Sequence, residues 1–316
     1  MTLDAVAAAL HALGPRLGGT VERDAPSSAF TTYRCGGPLA VLVRAASERD
    51  LLEIAPVLVA APEVDVLVIG RGSNLLVADV GFAGVAIVLG GDLERVDVDA
   101  ERATVAAGGA AALPVLARLA AKAGVGGLEF FVGIPGSVGG ALRMNAGGHG
   151  AQTADVVVSA RILDLAAGSA RELGVGELGL GYRSSALGPR AVVLAARFAG
   201  VRDDPAVCEG RIDEIVRWRR AHQPGGQNAG SVFTNPPGDA AGRLIDACGL
   251  KGLRAGGVVV SEKHANFFVA EPGARAGDVL DLVRLVRARV EAATGVRLVP
   301  ELQLVGFAED SQEVGG

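Results

Sequence analysis

The chain has 316 residues, half of them hydrophobic, and a formal net charge of −5. This length fits one large or two ordinary domains with ample apolar core. The negative charge argues against nucleic-acid binding, and no apolar run reaches the roughly 20 residues that a membrane span requires. With no signal-peptide order at the N-terminus, we expect a cytoplasmic protein.

Metal and disulfide chemistry find little support in the composition. The three cysteines, Cys35, Cys208 and Cys248, are scattered and form no Cys-x-x-Cys pair. The four histidines are accompanied by no clustered carboxylates. We therefore expect neither a disulfide framework nor a metal site, and we assign His264 to structure.

Helix and strand patterns alternate along the chain. Ser47 is expected to cap a helix that continues through Leu51 and Ala55, and Gly295 to end the last helix. Apolar spacing places that last helix over residues 276–293 and predicts three further helices, over residues 111–123, 208–222 and 239–248. Runs rich in β-branched residues predict strands over 64–69, 85–89, 104–107, 156–164, 192–198 and 296–305. These patterns indicate a mixed α/β protein.

Changes of character along the sequence suggest a domain division. We expect a longer N-terminal domain over residues 1–200 and a smaller C-terminal domain over residues 201–308. The polar tail, residues 309–316, is expected to be disordered.

Two glycine-rich loops are the clearest candidates for ligand binding. One is Gly133-Ile134-Pro135-Gly136-Ser137-Val138-Gly139-Gly140, and the other, directly after a strand, is Gly70-Arg71-Gly72-Ser73-Asn74-Leu75-Leu76. Taken alone, the first loop is more often a set of tight turns, and the second is equally consistent with a turn between two strands. Neither fits the spacing of the nicotinamide dinucleotide fingerprint or of the P-loop. Together they favour a dinucleotide-sized ligand, and flavin is the better candidate.

Five motifs in register resemble the UDP-N-acetylenolpyruvoylglucosamine reductase family. They are the two glycine loops, Tyr182-Arg183-Ser184-Ser185, Ala229-Gly230-Ser231-Val232-Phe233 and Pro300-Glu301-Leu302-Gln303-Leu304-Val305-Gly306. The motifs occur in the family's order from about Thr31 to Gly306, nearly the whole chain.

The resemblance implies a fold. It predicts an FAD-binding domain of the vanillyl-alcohol-oxidase (p-cresol methylhydroxylase) type in two subdomains, split near residues 85–90. A smaller α+β substrate domain would follow it. A helix expected soon after Leu187 leaves little room for an inserted tyrosine-bearing loop, so the chain resembles the family's shorter branch.

The resemblance also implies a reaction. NADPH would reduce non-covalently bound FAD, and the reduced flavin would send hydride to C3 of UDP-N-acetylenolpyruvoylglucosamine, completing UDP-N-acetylmuramate for peptidoglycan. Ser231 matches the family's proton donor to C2, and Arg183 the cation that meets the developing negative charge. Glu301 matches a glutamate that helps to stabilise or protonate the intermediate. A monomer is expected.

The resemblance also implies which residues bind the cofactor and the substrate. For the cofactor they are Gly70, Arg71, Gly72, Ser73, Asn74, Leu75, Gly133, Ile134, Pro135, Gly136, Ser137, Gly139 and Gly140. For the substrate they are Arg219, His222 and Asn235, the first two matching an Arg-x-x-Lys pair. His222 and Thr234 stand where lysine is usual, and His149 replaces a common tyrosine.

Two alternative functions stay open on the sequence. An FAD-dependent oxidase of a sugar alcohol or lactone would share the fold but would have no use for the Ala-Gly-Ser and Pro-Glu elements. A non-catalytic nucleotide-sugar-binding homologue is motivated by His222 and Thr234, and opposed by Arg183, Ser231 and Glu301.

Overall fold

The computed structural model describes residues 1–308, in which helices and strands alternate. The helices are α1 (Leu3–Leu13), α2 (Glu48–Val59), α3 (Leu113–Lys122), α4 (Val138–Arg143), α5 (Pro205–His222), α6 (Ala241–Ala247) and α7 (Ala276–Thr294). The strands are β1 (Thr20–Pro26), β2 (Pro38–Ala45), β3 (Val66–Ile69), β4 (Leu75–Val77), β5 (Phe82–Leu89), β6 (Val96–Asp99), β7 (Thr104–Gly108), β8 (Val125–Gly126), β9 (Gly147–Gly148), β10 (Ala151–Gln152), β11 (Val157–Asp164), β12 (Ser169–Gly174), β13 (Ala191–Ala199), β14 (Val201–Arg202), β15 (Arg254–Ala255), β16 (Val258–Val260), β17 (Phe268–Ala270) and β18 (Gln303–Val305). Within residues 1–308, no helix has the length and apolar character of a membrane span.

The predicted helix boundaries that depended on caps are confirmed. The Ser47 hydroxyl accepts a hydrogen bond from the amide of Asp50 at 3.3 Å, which satisfies one of the unpaired amides at the start of α2. Gly295 ends α7 with a φ of 74°, a left-handed conformation that glycine adopts without strain.

Two local predictions were wrong. The last strand was expected over residues 296–305, but only Gln303–Val305 forms one. Pro300, which has no amide hydrogen to donate to a ladder, makes a single bridge to Phe233 instead. The helix expected soon after Leu187 is absent. The strand β13 follows instead, because its apolar residues are buried in the core.

The first unit comprises Met1–Asp24, Val41–Arg71 and Gly84–Arg219. It contains a four-stranded sheet of order β1-β2-β5-β3, in which β3 and β5 are parallel. A five-stranded antiparallel sheet of order β12-β11-β13-β7-β6 follows. One apolar core packs on the five-stranded sheet, and a second core combines residues of both sheets, among them Val85 of β5 and Leu194 of β13. The predicted split of this domain near residues 85–90 stays a prediction.

The second unit comprises Ala25–Ala40, Gly72–Ala83 and the described residues from Arg220 onward. It contains the sheet β15-β16-β17 and the parallel pair β4 and β18, with a core built largely on α7. The first unit extends beyond the residue 200 expected from the sequence. The reason is that Cys208 and Ile212 of α5 are buried in a core of the first unit. The predicted tail, residues 309–316, lies outside the described residues.

Candidate active site

A cavity of about 190 Å³ in the first unit brings together five of the predicted cofactor-binding residues. They are Gly70, Arg71, Ser137, Gly139 and Gly140. Pockets that enclose a whole drug-sized ligand usually measure about 300–1,000 Å³. The cavity therefore has room for part of a dinucleotide.

Two glycines of this cavity lie where segments of the chain approach each other closely. A Cβ atom at Gly70 would lie 2.4 Å from the Ser137 hydroxyl, and one at Gly139 would lie 3.1 Å from the Gly109 carbonyl oxygen. The Ser137 hydroxyl caps α4 by accepting from the amide of Gly140 at 3.3 Å. Arg71 adds a permanent positive charge. Small residues beside a cation fit a flat cofactor that carries phosphate, so the residues present are compatible with FAD.

The remaining predicted cofactor residues lie outside this cavity. Gly72, Ser73, Asn74 and Leu75 belong to the second unit. Gly72 has a φ of 62°, and a Cβ there would lie 1.8 Å from the Phe30 carbonyl oxygen.

The other four residues, Gly133, Ile134, Pro135 and Gly136, precede α4. The Gly136 carbonyl accepts a hydrogen bond from the amide of Leu113 at 3.0 Å, and Gly133 lies against the ring of His149. For these residues, as for Gly72–Leu75, cofactor binding stays a prediction.

Arg183 lies at the tip of a tight turn in the first unit. Gly181 and Ser184 close the turn, with the amide of Gly181 donating to the Ser184 carbonyl at 3.1 Å. Arg183 has a φ of 53°, an unusual conformation for a residue with a side chain. Its guanidinium contacts the Gly147 carbonyl at 3.4 Å and stacks on the ring of Tyr182, 5.3 Å from the ring centre.

Ser231 and Glu301 lie on adjacent segments of the second unit. Ser231 makes a bridge to Phe267, and the main-chain amide of Glu301 donates to the Val232 carbonyl at 2.8 Å. The Glu301 carbonyl accepts from the side-chain amide of Asn74 at 2.9 Å. Both residues are half-buried. Two of the three predicted catalytic residues are therefore brought together within one unit.

The predicted substrate residues are distributed over both units. Arg219 is half-buried at the end of the first unit, and burial lowers the pKa of its guanidinium. Burial, and then the charge of Arg219, lower the pKa of His149, whose ring lies edge-on to Trp218 at 5.1 Å. In the second unit, His222 is exposed at the end of α5, and the Asn235 side chain accepts from the amide of Ala241 at 3.0 Å.

Comparison with known proteins identifies the family. The model of the UDP-N-acetylenolpyruvoylglucosamine reductase C-terminal domain matches residues 222–305, and an FAD binding domain model matches residues 38–174. A UDP-N-acetylenolpyruvoylglucosamine reductase of Paramagnetospirillum magneticum is 44% identical over 298 residues, 94% of this chain and 95% of that protein. The chain belongs to the UDP-N-acetylenolpyruvoylglucosamine reductase family.

Other members of the reductase family give the same result. A reductase of Caulobacter sp. is 42% identical over 301 residues, 92% of this chain and 97% of its own length. The crystal structure of the reductase from Thermus caldophilus matches with a TM-score of 0.76 and 36% identity. That match covers 91% of this chain and 98% of the Thermus chain. The predicted fold class, an FAD-binding domain followed by a smaller substrate domain, is confirmed.

Several residues that line the cavity of this reductase-family chain were not predicted from the sequence. They are Glu94, Gly109, Ala110 and Arg143. Gly108 and Gly109 lie at the end of the strand β7, just as Gly70 follows the strand β3. This shared pattern of glycine after a strand could have predicted Gly109 as a cavity residue. Arg143 lies one turn after Gly139 and Gly140 on α4, so its position was also a usable signal. Glu94 carries no local signal, because the fold alone brings it to the cavity.

Proposed function

We propose that the chain reduces UDP-N-acetylenolpyruvoylglucosamine to UDP-N-acetylmuramate with NADPH and bound FAD, a step of peptidoglycan precursor synthesis. The observation that carries the proposal is the 44% identity to a reductase of that name over 94% of this chain. Arg183, Ser231 and Glu301 occupy the positions at which the motifs place the catalytic groups.

The cofactor is assigned to the glycine-lined cavity of the first unit. When bound, FAD accepts two electrons from NADPH and delivers a hydride to C3 of the enolpyruvyl group. Gly70 and Gly139 line the cavity without side chains that would narrow it, and Arg71 attracts the negative charge of the cofactor.

Arg183 is proposed to stabilise the charge that develops during reduction. As C3 gains the hydride, negative charge accumulates on C2 and on the carboxylate of the substrate. A guanidinium offers fixed donors that match a carboxylate, and it keeps its positive charge at any physiological pH. Such a preorganised donor lowers the barrier most where charge appears only in the transition state.

Ser231 is proposed to donate the proton to C2, which completes the addition across the double bond. Its hydroxyl is a poor acid in water, so the site must favour proton transfer through its surroundings. Glu301 supports the assignment, because its main-chain amide is bound to the residue that follows Ser231. This contact keeps the two segments adjacent, and a carboxyl group near the serine can assist the transfer.

The alternatives gain no support from the relatives. The reductases reported above match more than nine-tenths of this chain, and their names are those of the reductase and not of an oxidase or a binding protein. Substrate binding by Arg219, His222 and Asn235, a monomeric state and a cytoplasmic location stay predictions.

The visible spectrum of the purified protein, followed without oxygen through one cycle, tests the proposal. We expect NADPH to bleach a bound flavin and UDP-N-acetylenolpyruvoylglucosamine to restore its colour. Bleaching that only oxygen reverses would favour an oxidase. A protein that cannot take up FAD would exclude a flavoenzyme.

A further inference from the structure

Asn145 is a buried polar residue that the motifs do not assign to catalysis. It follows α4 and is 1% exposed, with a φ of 39°. Its side-chain amide donates to the Gly181 carbonyl at 2.8 Å and to the Gln152 side chain at 3.1 Å. Its side-chain oxygen accepts from the amide of Ala154 at 2.9 Å. The whole amide is therefore used.

The backbone at this position does not explain why asparagine is present. The amide of Ala146 donates to the Ala141 carbonyl at 2.9 Å, and that of Asn145 to the Leu142 carbonyl at 3.5 Å. This pair of bonds is the usual C-terminal helix motif, in which glycine is the commonest residue at the left-handed position. Glycine would end α4 equally well, so the presence of asparagine is explained by what its side chain binds.

The side chain binds the base of the turn that carries Arg183. The Gly181 carbonyl accepts from Asn145 and also, at 3.4 Å, from the amide of Ser184 that closes the turn. The Ser185 hydroxyl donates to the Arg143 carbonyl at 2.9 Å, a second bond between the turn and the end of α4.

Arg183 needs such support because its backbone conformation is unfavourable. A left-handed conformation is unfavourable for a residue with a side chain, and it persists where the surroundings hold it. A turn that relaxes would displace the guanidinium, and a displacement of about 1 Å can cost a hundredfold in rate.

We propose that Asn145 is a positioning residue for Arg183. Its amide fixes the Gly181 carbonyl and so the direction in which the turn presents the guanidinium. The inference rests on the proposed function, because it assumes that Arg183 acts on the enolpyruvyl substrate. It assigns Asn145 to the substrate step and not to cofactor loading.

The test uses the FAD-loaded enzyme and Asn145→Gly, which retains the left-handed backbone and removes the amide. Rapid mixing measures two steps at saturating ligand, reduction of FAD by NADPH and its reoxidation by UDP-N-acetylenolpyruvoylglucosamine. We expect reoxidation to slow by about tenfold to a hundredfold. FAD content and the rate of reduction should change by less than about twofold. Equal losses in both steps or in FAD content would overturn the proposal.

A double-mutant cycle with Arg183→Ala distinguishes positioning from general support of the fold. If Asn145 acts through Arg183, adding Asn145→Gly to Arg183→Ala should slow reoxidation no further. Independent, multiplying losses would overturn the inference, as would a normal rate in Asn145→Gly alone. Should Arg183→Ala itself reoxidise at the parent rate, the proposed role of Arg183 fails instead.

Gln152→Ala provides a matched control and covers the case in which Asn145→Gly fails to fold. It removes another partner of the same amide and leaves the bond to Gly181 in place. We expect reoxidation within about twofold of the parent rate. A loss as large as that in Asn145→Gly would assign the effect to a loosened segment and overturn the proposal. If Asn145→Gly folds poorly, Asn145→Asp replaces it in the test. Aspartate keeps the shape of the side chain but lacks the NH2 group that donates to Gly181.

Discussion

Ser231 is held in an extended segment bounded on both sides by main-chain contacts, to Phe267 on one side and to residue 301 on the other. The preceding Gly230 has a φ of 74°, and its amide donates to the Asn228 side chain at 3.0 Å. Main-chain contacts therefore hold this segment in place, and they do not involve the serine side chain. Replacing the side chain should leave the segment intact.

Ser231→Ala should separate the two half-reactions. Reduction of FAD by NADPH is expected to stay near the parent rate, because no proton from Ser231 is needed there. Reoxidation by the enolpyruvyl substrate should slow by about 10² to 10⁴, the usual range for a lost proton donor. Single-turnover absorbance of the flavin measures both steps. A variant that turns over at the parent rate would show that another group protonates C2.

Gly72 illustrates a glycine required by contact as well as by conformation. With a φ of 62° and a Phe30 carbonyl 1.8 Å from the place of a Cβ atom, Gly72→Ala should destabilise the protein by about 3 kcal/mol or more. Gly90→Ala is the control, because nothing lies within 4 Å of a Cβ there. Urea unfolding compares the two variants, and equal midpoints would contradict the expectation.

At the scale of elements, asparagine side chains connect the segments of the candidate site. Asn145 binds the turn of Arg183, and Asn74 binds the Glu301 carbonyl. Asn266 is 3% exposed and binds Phe233, which lies two residues after Ser231. Its side chain accepts from the Phe233 amide at 3.0 Å and donates to the Phe233 carbonyl at 2.8 Å. A side-chain amide can bind both groups of a peptide, so it secures irregular segments that no sheet holds.

His264 makes the stability of this region depend on pH. Burial lowers the pKa of its imidazole, and the charge of Lys251 lowers it further. The ring nitrogen Nδ1 accepts from the amide of Asn266 at 3.2 Å, a bond that protonation would break. Because the folded pKa lies below the unfolded value of about 6.5, the unfolded chain binds more protons as the pH falls through that value.

The free energy of unfolding should therefore fall below about pH 6.5, with a slope of at most about 1.4 kcal/mol per pH unit from this residue. His264→Asn, which keeps an acceptor, should reduce that slope and leave stability above pH 7 nearly unchanged. Urea titrations from pH 5 to pH 8 measure it. Since burial also lowers the pKa of His149, part of the slope should remain. An identical slope in the variant would exclude His264.

At the scale of the whole molecule, the sequence predicted what local patterns and ordered motifs determine. The cap at Ser47 and the stop at Gly295 depend on neighbouring residues and were correct. The extent of the first unit was not predictable, because it depends on where Cys208 and Ile212 are buried. The motifs predicted Gly70 and Ser137 at the cavity, whereas Glu94 reaches it only through the fold.

Removing β18 should loosen the second unit selectively. The amide of Ala78 donates to the Val305 carbonyl at 2.8 Å, so a chain ended after Leu302 lacks that acceptor. Hydrogen exchange at Ala78 is expected to accelerate at least about tenfold. The amide of Val85, bound to the Asp65 carbonyl in the first unit, is the internal reference, and a chain ended after Ala308 is the control. Unchanged exchange at Ala78 would show that β18 is dispensable.

The pairing of β4 with β18 also determines when the second unit can finish folding during synthesis of the chain. Asn74 and Glu301 are separated by 227 positions, and ribosomes add about 5–20 residues per second, so the partner of β4 emerges about 10–45 s later. Until then the nascent chain exposes Leu75, Leu76 and Val77, an apolar edge that is buried only at the end. Co-translational folding is thus available to the first unit before β18 is made, whereas the second unit can close only after β18 has emerged.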